Sequence, residues 1–315
     1  MAPASDLTRL LGIRHPILLA PMGGVSGGAL ASAVGAAGGF GMIGGGYADP
    51  VWLRRELALA DPGAIGIGFI TWHLQGREAV LHEALERRPK AVFLSFGDAA
   101  PYVPAIKAAG ALLLCQVQTV ADARAAARLG ADVIVAQGSE AGGHGAARGT
   151  LALVPAVVDA VAPLPVVAAG GIADGRGLAA VLMLGAQAAL VGTRFMVARE
   201  SLLHGRGKAR LVEAAGDDTL RTGVFDIVRG YAWPAPYTGR ALRNAFTARW
   251  HGREDALRQA LPAEQARYAQ AAQRGDFDDA ALFAGEGVDL VRAVEPAARI
   301  VEALVAEAER ALART

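Results

Sequence analysis

The stretch PVVAAGGIADGRGLAAVLMLGAQAALVGT, residues 165–193, holds the repeating unit from which the fold can be read. Pro165 to Ala169 is a short apolar run that ends in Gly170-Gly171. Asp174 is placed to N-cap a helix over Gly177 to Leu184, and Gly185 to cap its end. Ala188 to Val191 is a second apolar run, ending in Gly192-Thr193. Leu178 to Val191 is the most apolar stretch of the chain, but Gly185 and Gln187 interrupt it and it is too short to span a bilayer. The unit is strand, helix, strand.

The same rhythm runs backwards to the start of the chain. Apolar runs recur at Ile17 to Ala20, Phe40 to Ile43, Ala64 to Ile70, Ala91 to Ser95, Ala111 to Val117 and Asp132 to Ala136. None alternates strictly with polar residues, the pattern of parallel strands covered on both faces. Between them lie helix-length segments such as Asp122 to Leu129, and Glu78 to Arg88, which stops before Pro89. Eight such units in series predict an α/β fold, a (β/α)₈ TIM barrel. A doubly wound open sheet is the rival, since local pattern does not register closure.

After about Leu203 the strand-like runs stop and Arg, Asp, Glu and Gln become frequent. Arg253 to Arg274 reads as helix with Pro262 at a boundary, and Arg206 to Arg210 as a solvated basic loop. Pro296 to Ala313 forms an amphipathic helix with Ile300, Leu304 and Leu312 among its apolar positions. The expected organisation is a barrel over 1–204, a helical insertion after the eighth strand over 205–290, and a last helix over 291–315 that returns to the barrel.

Composition narrows the function classes. Among 315 residues, 31 Lys plus Arg balance 30 Asp plus Glu, which gives no electrostatic case for nucleic acid or an anionic membrane. Met1 to Arg14 lacks the cationic start and apolar run of a secretion signal, and a single cysteine excludes an intrachain disulfide, so a cytoplasmic location is expected. Cys115 lies inside an apolar run, which argues for burial.

Parallel barrels carry their chemistry on the loops that follow the strands. The tips after the seventh and eighth strands, Gly170-Gly171 and Gly192-Thr193, suit a phosphate: glycine lets backbone N–H groups approach an anion, and Thr193 adds a hydroxyl. After the sixth strand runs Gln137-Gly138-Ser139-Glu140-Ala141-Gly142-Gly143-His144-Gly145. A loop so free of bulk lets a flat ring lie against the backbone. His144 is the only histidine at such a tip, and its ordinary pKa suits proton transfer near neutral pH, so it is the candidate catalytic residue. Glu140 is expected to be structural, orienting a neighbour or pairing with an arginine behind the loop.

Other patterns carry less. Gly39 to Gly44 matches GxGxxG but runs through a predicted strand instead of linking strand to helix. The remaining histidines form no ligand cluster, so no metal is expected. Lys90, Lys107 and Lys208 sit at no strand tip, which disfavours Schiff-base chemistry. Tyr231, Trp233, Tyr237, Phe246 and Trp250 either wall a pocket over the barrel mouth or form the core of the insertion, with the second reading preferred.

Four segments together resemble the nitronate monooxygenase family, formerly 2-nitropropane dioxygenases, which are FMN-dependent barrels. They are Pro16 to Met22, Ala136 to His144, Ala169 to Gly175 and Leu190 to Phe195, within a likeness that spans roughly residues 8 to 250. The resemblance implies that Ala20, Pro21 and Met22 lie against the flavin, that Gln137, Gly142 and Gly143 follow its ring and ribityl chain, and that Gly170, Gly171, Val191, Gly192 and Thr193 hold the phosphate. It implies that Gln116 donates to the ring edge and that His144 is the base. The implied reaction oxidises nitroalkanes or nitronates with O2 to carbonyl compounds and nitrite. Many members carry an asparagine where this chain has Gly68, which alters one contact beside the flavin. Relatives that draw electrons from NAD(P)H, such as quinone and enoyl-acyl-carrier-protein reductases, share a similar histidine loop. A flavin-free phosphate-binding barrel is the alternative of another class.

Overall fold

The computed structural model describes residues 5–314, so residues 1–4 of the Met1 to Arg14 stretch, and residue 315, lie outside it. Eight parallel strands form the barrel: β1 (Ile17–Leu19), β2 (Met42–Gly46), β3 (Gly66–Ile70), β4 (Ala91–Ser95), β5 (Leu112–Val117), β6 (Val133–Gln137), β8 (Val166–Ala169) and β9 (Ala188–Val191). The chain makes one further short strand, β7 (Gly143–Gly145), between the sixth and seventh of these. The sheet runs β1-β9-β8-β6-β5-β4-β3-β2. Its two edges meet where Leu18 bridges Phe40 in parallel, with Leu19 N–H donating to Phe40 O and Phe40 N–H to Ile17 O. That contact makes the barrel rather than the open sheet.

Strand alternation sorts the apolar side chains into two layers. Leu18, Met42, Phe93, Leu114, Val135, Val167 and Leu190 point inward and fill the barrel, joined by Leu7 and Leu11 from the helix Asp6–Leu11. Ile17, Leu19, Ile43, Ile67, Val92, Cys115, Ile134, Ala168 and Val191 point outward against the helices. The helix predicted after β8 spans Gly175–Met183, with the Asp174 carboxylate accepting from Arg176 and Gly177 N–H as expected of an N-cap. The last helix, Ala297–Leu312, returns onto it so closely that a Cβ on Gly175 would sit 2.3 Å from Glu307 Cβ. The glycines of the GxGxxG look-alike serve packing: a Cβ on Gly41 would lie 2.0 Å from Ala31 O, and one on Gly44 2.3 Å from Met22 C.

The segment after β9 departs from its sequence reading in three ways. It is mostly helical, but it also contains β10 (Thr219–Thr222) and β11 (Thr238–Leu242), which pair antiparallel and continue onto β7. Arg206 to Arg210 is not a solvated loop. It lies in the helix Gly205–Glu213, where Lys208 is buried and donates to the carbonyls of Ala198, Arg199 and Ser201. The aromatic cluster, finally, divides. Phe246 and Trp250 belong to the insertion's own core with Phe225 and Leu257, while Tyr231, Trp233 and Tyr237 lie at the barrel mouth. Polar strand positions with neighbours far along the chain explain the miss, because β10 and β11 have no apolar run to read.

Among the described residues no helix is long and apolar enough to cross a membrane, and no group of His, Cys, Asp and Glu is arranged to hold a metal.

Candidate active site

A cavity of about 1320 Å³, counting its part open to solvent, occupies the C-terminal mouth of the barrel. Every site residue expected from sequence lines it except Val191: Ala20, Pro21, Met22, Gly68, Gln116, Gln137, Gly142, Gly143, His144, Gly170, Gly171, Gly192 and Thr193. The Val191 side chain faces the helix layer, one step along β9 from Leu190, which does reach the cavity.

Backbone forms one end. Gly170 and Gly171 take φ of 107° and 72°, a region that favours glycine, and the amides of Gly171 and Gly192 donate to no protein acceptor among the described residues. Thr193 Oγ1 accepts from Gly285 N–H at 2.9 Å, which brings the far side of the insertion onto this rim. Gly285 and Gly287 line the same wall, and sequence reasoning missed both. Their only local signal is a Gly-Glu-Gly repeat, and their place depends on the chain returning after the insertion.

The barrel side of the cavity is lined by Pro21, Gly68, Phe93 and Leu190 together with Gln116 and Gln137. Gly68 is dictated by Pro21, since a Cβ there would lie 2.4 Å from the proline ring. Gln137 Oε1 accepts from the side-chain amides of Gln116 at 3.2 Å and Gln118 at 2.9 Å. That pairing fixes the Gln137 amide and leaves its NH2 without a protein partner in the cavity wall.

His144 is held by three separate devices. Strand β7 pairs with β11, placing His144 opposite Gly239. Arg221 and Arg240 reach behind the loop and donate to Ser139 O at 2.8 and 3.1 Å, and Arg221 also donates to Gly145 O. Burial lowers the Arg221 pKa to about 10. Glu140 pairs with neither arginine. Its carboxylate accepts from Thr150 N–H and Oγ1 at 2.8–3.0 Å and so caps the helix Thr150–Val161, a structural role. Arg240 takes Glu286 instead, at 2.7 Å.

The third device was invisible in the sequence. His144 Nε2 lies 2.9 and 3.0 Å from the two carboxylate oxygens of Asp226, on the helix Val224–Arg229. Both side chains are nearly buried, at 8% and 7% exposure. A carboxylate accepts, so this contact places the proton on Nε2 and leaves Nδ1, which has no protein partner, as the basic nitrogen. The Trp233 ring stacks on the imidazole at 3.4 Å between centroids and 3° between planes, and Trp233 Nε1 donates to Tyr47 Oη at 2.9 Å. Burial drives the His144 pKa below its ordinary value, and the Asp226 contact opposes that shift. Phe96 closes the mouth with a φ of 62°, an uncommon backbone conformation for a side chain of that size.

Glycine amides at neighbouring strand tips and a carboxylate-oriented imidazole at the same mouth define a barrel enzyme of the α/β class. The sequence profile of the family described as "Nitronate monooxygenase" matches residues 4–61 and 74–307. The chain belongs to that family of oxidoreductases. It is 34% identical to a nitronate monooxygenase of Neurospora crassa, over 94% of this chain and 90% of that protein. It is 35% identical to a nitronate monooxygenase of Pseudomonas aeruginosa, over 95% and 98%. Among solved structures, FabK from Thermotoga maritima superposes with a TM-score of 0.86 at 31% identity, covering 99% of this chain and 98% of that one. Nitroalkane oxidase from Streptomyces ansochromogenes superposes at 0.82 and 32%, covering 98% and 99%.

Proposed function

We propose that this protein binds FMN in the barrel mouth and oxidises alkyl nitronates and nitroalkanes with O2, with His144 as the general base. Family membership implies a flavin, and features of the cavity favour the mononucleotide. The free amides of Gly171 and Gly192, with Gly170 and Thr193 beside them, would hold its phosphate. The Val191 backbone leads into that rim. Ala20, Pro21, Met22 and Gly68 would lie along its ring, Gly142 and Gly143 along its chain, with Gln116 and the unpaired Gln137 NH2 as donors. In this reading residues 1–204 form the flavin-holding unit, 205–290 the cap that supplies Asp226 and Trp233, and 291–315 the closing helix.

The observation that carries the mechanism is the His144–Asp226 pair at the edge of that cavity. Nδ1 takes the α-proton of a neutral nitroalkane, and Asp226 stabilises the imidazolium that results. Trp233 fixes the plane of the ring, so that Nδ1 keeps one direction. For a nitronate, already deprotonated, His144 only positions. When bound, the flavin supplies the electron-accepting chemistry and the reaction with O2. The products are a carbonyl compound and nitrite.

Anaerobic mixing of the flavin-loaded protein with ethyl nitronate, and separately with NADH and NADPH, tests this reading by the visible flavin absorbance. Bleaching by the nitronate alone is expected. Rapid bleaching by a nicotinamide would favour the reductase alternative, and a protein that retains no FMN would sink the proposal.

A further inference from the structure

Arg229 is the one permanently charged residue lining the cavity among the described residues. Its guanidinium makes no hydrogen bond and no ion pair, unlike Arg194, Arg240, Arg249 and Arg267, which each hold a carboxylate. Aromatic faces keep it in place instead. Its central carbon lies 4.8 Å from the Tyr231 ring centroid, 5.6 Å from Tyr47 and 5.9 Å from Phe283. Tyr47 and Tyr231 are themselves stacked at 3.8 Å, so the cation rests against a rigid plate.

The helix Val224–Arg229 also carries Asp226, one turn earlier. One short element thus brings a carboxylate to the base and a cation to the same cavity. A half-buried guanidinium with its planar fork of donors unused favours an anion with two coplanar oxygens. A nitronate, with its C=NO2 group negatively charged, presents that shape as a carboxylate does. A neutral nitroalkane spreads the same atoms without the charge.

We propose that Arg229 is the receptor for the substrate's planar oxyanion, and that it makes this site select ionised nitronates over neutral nitroalkanes. The inference rests on the nitronate reading of the site. The aromatic plate explains how Arg serves here without a direct carboxylate partner: the rings hold the cation in position while its hydrogen-bond donors stay open.

Two measurements test it. Steady-state kinetics with ethyl nitronate and nitroethane compare the wild type with Arg229→Gln and Arg229→Lys. Loss of the charge should raise KM for the nitronate about tenfold or more with kcat within about threefold, and change KM for nitroethane far less. Arg229→Lys should recover part of the nitronate affinity. Calorimetric titration with benzoate and with benzamide, planar analogues that differ in charge, reads the receptor without turnover. Wild type should prefer benzoate by at least about tenfold, and Arg229→Gln should abolish that preference. Equal weakening for both analogues, or for both substrates, overturns the proposal. A benzoate preference lost in Arg229→Gln, in a protein that turns over no nitronate, would keep the receptor and remove the proposed function.

Discussion

His144 and Asp226 stand 82 residues apart in the chain, yet Nε2 of one lies 2.9 Å from Oδ2 of the other. The first comes from the loop after β6, the second from a helix of the insertion, and strand pairing of β7 with β11 brings them together. The contact decides which imidazole nitrogen is free, and so, in the proposed mechanism, where a substrate proton would go.

Replacing His144 with alanine should separate two kinds of substrate. Activity on neutral nitroalkanes should fall by about 10²-fold or more, the usual worth of a positioned base. Activity on preformed nitronates should fall by less than about tenfold. Steady-state rates with nitroethane and with ethyl nitronate check this, and equal losses on both would remove the base assignment.

Asp226→Asn should act through the imidazole without touching substrate. Burial lowers the His144 pKa and Asp226 raises it, so removing the carboxylate charge lowers the pKa further. A base works when unprotonated, so in the wild type kcat/KM for nitroethane should stay level down to below the ordinary histidine value and fall in more acidic solution. The variant should be slower on the plateau by about 10–100-fold, as for a lost orienting partner, with its acidic limb moved to lower pH. A limb that moves upward contradicts the pairing.

Gly192→Ala offers a test of the cofactor rim that spares the fold. Its φ of −108° is open to alanine, and the new Cβ would meet Ala20 Cβ at 3.5 Å and Met22 Sδ at 3.6 Å, ordinary contacts. Combined with Thr193→Val, which also removes the acceptor of the buried Gly285 N–H and so costs about 1–3 kcal/mol of stability, it should lower the FMN retained after dialysis by folded protein held well below its melting temperature. Full flavin content in the double variant would argue against a phosphate at this rim.

Glu140→Ala should cost stability. The carboxylate caps the helix Thr150–Val161 from outside it, and losing a cap costs about 1 kcal/mol. Thermal unfolding should shift down by a few degrees. An unchanged melting temperature would mean that water replaces the carboxylate at no cost.

Cys115 should be inert in the folded protein. Burial pushes its thiol pKa up to about 12, and its side chain sits in the layer between strands and helices. A thiol reagent at roughly pH 8, near the ordinary thiol value, should label it only after denaturation.

The chain's own pattern determined the eight strands, their parallel order, the glycine tips after β8 and β9 and the position of His144 at the mouth. Those features are local: apolar runs covered on both faces, caps such as Asp174, and small residues where a strand ends. Only the tertiary structure decided closure, which rests on the Leu18–Phe40 bridge, and the partners of the site. Asp226, Arg229, Trp233, Gly285 and Gly287 stand in a polar insertion whose spacing does not say which face meets the barrel. Their roles come from where the chain returns, a long-range outcome of packing that no short window of residues encodes.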